Sequence, residues 1–213
     1  PAWQPGHAHC DALSFELDVG RRQIVVDSGL HGYDGDPLRE YVRSTRAHNT
    51  VSIAGREQAE LWGTFRMARR WTVREATTVA DATAKFAFHG AISPYWSSRV
   101  RHSRDFRLRA GLFSVEDLIE GAEGMPAESY IHLHPDLEPS VDGESVTLRA
   151  ADREVARIEF FGFDRLRGVQ GQEDPPHGWY CPDFGVRYAA PVIIACVDRL
   201  KASQRFGFTI SWK

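Results

Sequence analysis

No stretch of this chain has the length and 3.6-residue period of a core helix. Short β-branched and aromatic runs follow one another instead, with turn residues between them. Residues 23–26, 71–79, 83–89, 100–108, 129–134, 145–149, 155–161, 192–197 and 206–212 all read as strands. Gly90, Ser93-Pro94, Ala110-Gly111, Gly121 and Asp142-Gly143 punctuate them. Residues 113–119 read as a strand or as a pair of helical turns, and residues 57–70 as a short helix weakened by Gly63. Roughly 14 short strands predict an all-β fold, a large antiparallel β-sandwich of a dozen or more strands. Six tryptophans and twelve phenylalanines suffice for a wide core between two sheets.

No repeat or composition break divides the 213 residues, so the expected unit is a single domain over 1–213. Residues 120–126 are expected to form a hinge within one sandwich, and the polar stretch 172–179 a loop covering an edge or bordering a groove. A net charge of −3 gives no reason to expect nucleic acid, and no apolar run reaches membrane-spanning length. Three cysteines at wide spacing, Cys10, Cys181 and Cys196, are no disulfide scaffold, although one bridge is open to them.

Chemistry-bearing residues crowd the first fifty positions. His9, Asp27 and His48 stand 18 and 21 positions apart, each at the edge of an apolar strand-like stretch. Neighbouring strands can gather such residues, and two imidazoles with one carboxylate suit zinc. The same residues also read as ordinary hydrogen-bonding histidines and a turn aspartate. Cys10 reads mainly as a small buried side chain and secondarily as a ligand. In an extended segment His7 and His9 point the same way, which would put His7 toward a ligand; the other reading is an exposed terminal histidine.

Residues 32–37 read as an irregular loop, followed by a stretch rich in arginine and tyrosine. Arg39, Arg43 and Arg46 are suited to carboxylates or sulfates, and Tyr33 and Tyr41 to proton transfer or sugar stacking. The alternative is a solvated loop with internal pairing, Arg39 to Asp36 or Glu40. Trp96, Trp179 and Tyr180 divide between core and a sugar-facing surface.

Three segments together, GHAHCDALSFEL, VVDSG and REYVRSTRAHNTVSIAGREQ, resemble the C-terminal β-sandwich domain of the heparinase II/III-like polysaccharide lyases. The family pattern runs His-Gly-His-Ala-Asp, then a strand ending Asp-x-Gly, then Tyr/Phe-x-Arg-Ser-Thr-x-Ala-His-Asn-Thr. Ala8 and Cys10 depart from it, where glycine and alanine are usual.

The resemblance implies the C-terminal part of a longer enzyme whose N-terminal α/α toroid is the partner of this domain. It places His9, Asp27 and His48 on a zinc site and His7 facing the sugar. It makes Tyr33, ahead of Tyr41, the catalytic tyrosine, with Tyr41, Arg43 and Arg46 on the substrate side. The implied reaction is β-elimination on an anionic uronic-acid-containing polysaccharide or oligosaccharide, in the periplasm, outside the cell or alternatively in the cytoplasm. The chain alone is expected to be inactive. A non-catalytic glycan-binding or assembly domain and a uronate epimerase are the alternatives.

Overall fold

The computed structural model describes residues 5–212; the outermost positions of the expected 1–213 domain lie outside the described residues. Its largest sheet has eight antiparallel strands. In spatial order they are Glu138–Asp142, Ser145–Ala150, Arg153–Phe161, Ser203–Ser211, Leu112–Glu120, Arg101–Arg109, Phe86–Ser93 and Thr72–Thr78. A second sheet has four, in the order Arg165–Val169, Val192–Val197, Ala127–His132 and Val51–Ile53. The all-β sandwich expected from the sequence is what the chain forms.

Period-2 burial carries this arrangement. Along Leu112–Glu120 every second residue is buried, which sends Phe113, Val115, Asp117 and Ile119 inward. Their ring and aliphatic side chains meet Ile131, Ile193, Ala195 and Val197 from the smaller sheet. All six residues of Val192–Val197 are buried, because this strand is covered on both faces. Residues 113–119 are therefore strand. The expected hinge at 120–126 is the turn that carries the chain from the larger sheet into the smaller one, with Gly121 at φ +72°.

Three local readings are corrected. Residues 57–70 hold no helix; Leu61–Trp62 and Arg66–Met67 pair as a hairpin, with Gly63 in the left-handed region at its tip. Gly90 does not end a strand but lies inside Phe86–Ser93, where a Cβ would stand 2.5 Å from Leu13 Cδ2. The irregular loop read at 32–37 ends one residue early, and the arginine stretch after it, with a solvated loop as one reading, starts as a helix, Pro37–Arg43. Asp36 caps it by accepting from the Arg39 backbone N–H at 2.7 Å, and Pro37 supplies a preset φ in the first turn. The expected Asp36–Arg39 partnership thus exists, but through the main chain.

That helix buries Leu38, Tyr41 and Val42 against Ala47 and Cys181, with Leu30 and Trp179 alongside. It ends at Ser44, whose N–H and hydroxyl both donate to Tyr41 O. Residues 172–179 carry a short ladder between Gln172–Glu173 and Pro176–His177, close to the helix. All three cysteines are buried free thiols, so no bridge forms.

Candidate active site

His7 lies in a single 3-10 turn, Pro5–His7, and Tyr33 in the loop that precedes the helix. The structure brings them together: Tyr33 Oη is 2.8 Å from His7 Nδ1, and the rings meet edge to face at 5.4 Å. The phenol donates when Nδ1 is unprotonated. His7 is exposed and Tyr33 half-buried, so the pair sits on an open face.

Beneath it lies the second cluster. His48 is buried, and its Nδ1 is 2.6 Å from Asp27 Oδ2; Asp27 Oδ1 accepts from Gly29 N at 2.9 Å. Burial pushes the Asp27 carboxyl up, but the His48 hydrogen bond and charge outweigh it and hold it below the usual range. Burial likewise pushes His48 down, and Asp27 more than reverses this. His9 stacks at a tilt on His48 with 5.3 Å between ring centroids. Burial, then the neighbouring His48, lowers its pKa to about 3, with Asp27 opposing.

These groups have the donor chemistry of a zinc site. Asp27 orients His48 through Nδ1, and His48 Nε2 is buried without a hydrogen-bond partner among the described residues. His9 is neutral, as a ligand must be. As placed, no three His, Cys, Asp or Glu side chains among the described residues form a group that could hold a metal. Asp27 here faces His48. Cys10 is buried in its own apolar cluster with Ala59 and Met67.

Arg39 and Arg43 fix the positions of these loops. Both are almost fully buried. Arg39 reaches His9 Nε2 at 3.3 Å and donates to the carbonyls of Gly6 at 3.4 Å and Thr64 at 3.1 Å. Its guanidinium lies 5.2 Å from the Tyr33 ring centroid. Arg43 donates to Ala8 O, to Gly63 O at 2.6 Å and to Arg66 O. Neither makes an ion pair with a carboxylate among the described residues.

The expected substrate-side residues separate. Arg43 turns inward, as just described. Tyr41 is buried, and its hydroxyl accepts from Gly178 N at 3.2 Å. Burial raises its pKa, a poor property for an acid at neutral pH. Arg46 stacks over Tyr41 and lines a cleft of about 520 Å³ with Glu40, Glu57, Glu128 and Asp174. Trp96 packs beside the core, and Trp179 packs beside the helix cluster under Arg187. Tyr180 contacts His134.

One support was not visible in the sequence. Asn49 donates to Phe15 O and Val26 O, both at 2.8 Å, and accepts from His132 N at 2.7 Å. It ties the strand ahead of Asp27 to the smaller sheet. Its place directly after His48 was the available signal, but its partners lie far along the chain.

The family model described as heparinase II/III-like, C-terminal, matches residues 1–213. The chain belongs to that family. The heparinase II/III-like domain is also similar in fold to several solved structures. A heparan sulfate lyase, HepC from Pedobacter heparinus, superposes with a TM-score of 0.74 over 96% of this chain at 19% identity. A heparinase III, the BT4657 gene product, gives 0.74 over 96% at 17%, and another heparinase III gives 0.72 over 98% at 15%. The domain spans only 31%, 30% and 30% of those chains. No curated protein matches it.

Proposed function

We propose that this domain forms one wall of the active site of a polysaccharide lyase, which cleaves a uronic-acid-containing glycan by β-elimination. The observation that carries the reading is the Tyr33–His7 hydrogen bond set over Arg39, a buried cation without a carboxylate partner among the described residues. A buried charge left without a counter-ion is costly, and an anionic ligand offsets that cost.

In the elimination the C5 proton leaves to a base. Its electrons form the C4–C5 double bond, the C4–O bond breaks, and the departing oxygen takes a proton. Tyr33 and His7 share one proton along their hydrogen bond. The pair is therefore equipped to accept a proton from C5 and deliver one to the leaving oxygen. Arg39 and Arg43 raise the positive potential beneath the pair, which favours a uronate there and the charge that builds up on it.

His9, Asp27 and His48 are the residues that would hold zinc. The partnerless Nε2 of His48 and the neutral state of His9 support this. When bound, zinc supplies a fixed positive charge that organises the histidine-bearing loops. The remaining wall belongs to an N-terminal helical toroid.

The test is the full-length protein on heparan sulfate, chondroitin and alginate, followed by ultraviolet absorbance of the unsaturated product. Tyr33→Phe should lower kcat by about 10²–10⁴. This chain alone should be inactive. Near-normal turnover by Tyr33→Phe would favour binding or structure over catalysis at that position.

A further inference from the structure

We infer that Phe65 and Phe184 form, with Tyr33, an aromatic rim that stacks on a pyranose ring next to the bond being cleaved. This rests on the lyase reading above and adds a subsite to it.

The two phenylalanines come from separate hairpins. Phe65 is at the tip between Leu61–Trp62 and Arg66–Met67, and Phe184 at the tip between Trp179–Asp183 and Val186–Ala189. Both tips converge on one residue. The Tyr33 ring centroid lies 5.3 Å from that of Phe65 and 5.2 Å from that of Phe184. Yet the phenylalanines stay 48% and 56% exposed. Exposed aromatic rings gathered in one place are uncommon unless something covers them.

Both tips are also held in place. Arg43 binds Gly63 O and Arg66 O, and Arg39 binds Thr64 O, so Phe65 is presented on a fixed backbone. Gly185 N donates to His31 O at 2.8 Å, which secures the Phe184 tip two residues from Tyr33. Rings ordered before binding lose little entropy on contact.

The occupant is identified by chemistry. The rim is continuous with Tyr33 and hence with His7, the polar pair that faces the sugar. A pyranose with equatorial substituents presents a flat face of C–H bonds, which suits an aromatic face beside hydrogen-bonding groups. The negative face of a phenyl ring disfavours a carboxylate directly above it. The stacked unit is therefore the less charged sugar next to the uronate, such as a hexosamine.

The test uses the full-length protein with heparan sulfate and chondroitin, in which a hexosamine stands next to each uronate. Phe65→Ala and Phe184→Ala together should raise KM and the directly titrated Kd about tenfold. The expected kcat stays within about twofold and the melting temperature is unchanged. Phe65→Trp should keep wild-type KM, and Phe86→Ala, an exposed ring elsewhere, should change nothing. An unchanged Kd would overturn the rim, as would a fall in melting temperature with normal binding, which would mark the rings as packed under the rest of the protein. If Tyr33→Phe lowers turnover while the double variant binds normally, the rim fails and the lyase reading stands. If neither polysaccharide is cleaved but the double variant weakens binding, the lyase reading fails and the rim is a glycan-binding surface rather than a subsite beside a cleaved bond.

Discussion

Arg104 and Asp117 meet across neighbouring strands with no exposed surface on either side chain. The contact is bidentate, at 2.7 and 3.0 Å, and His102 adds a bond of 2.6 Å to the same carboxylate. Arg104 also donates to Leu13 O at 2.8 Å and Asn49 O at 2.6 Å. One guanidinium therefore joins the larger sheet to the His9 loop and to the residue after His48.

Asp117→Asn should destabilise the domain by about 3–5 kcal/mol, because it leaves the buried Arg104 without a counter-charge. Denaturant unfolding measures this. Replacing Arg104 and Asp117 together by Met and Leu should cost less than Asp117→Asn alone; an equal or larger loss would show that the pair's charge is not the cause.

Metal analysis should find about one zinc per chain, and His48→Ala should abolish it. A chelator should lower the melting temperature of the wild type and leave that of the variant unchanged. Zinc retained by the variant would remove His48 from the ligand set.

Acid should weaken the fold well above the carboxylate range. Burial lowers the pKa of His132 to about 3 and of His177 to about 4, and also depresses His102. Their unfolded values lie near 6.5. Between these limits the unfolded chain binds more protons, so stability is full above about pH 6.5 and falls toward pH 4. Each histidine contributes up to about 1.4 kcal/mol per pH unit. Urea midpoints from pH 7 to 4 read the slope; a flat profile would mean that these rings are protonated in the native state.

Gly29→Ala should be among the most damaging small substitutions. Gly29 has φ +73°, and a Cβ there would stand 2.0 Å from Cys181 O. Its backbone also donates to Asp27. The variant should lose stability and zinc together, as melting and metal analysis on one sample would show.

Most of the sandwich is legible in the sequence because a two-sheet fold prints its period onto each strand, as at Phe113, Val115 and Ile119. The helix Pro37–Arg43 is harder to read. Seven residues carry too little periodicity, and packing of Leu38, Tyr41 and Val42 holds it; only Asp36-Pro37 marks its start. In the site, the motif around His7, Tyr33, His9, Asp27 and His48 marks a region that does assemble. The roles of Arg43 and Tyr41 are not legible, because a side chain's direction depends on partners such as Gly63 and Gly178, distant in sequence. Arg104 reaches Leu13 across 91 positions, beyond any local pattern.

The two clamp arginines hold the hairpin at 61–67 through the carbonyls of Gly63, Thr64 and Arg66. A carbonyl is offered by every amino acid. Arg39 and Arg43 therefore fix where this hairpin sits without dictating which side chains it displays. Position 65 is thus mounted like a socket: none of these bonds uses its side chain, so a substitution there should leave the seat of the hairpin, and the histidines behind it, in place.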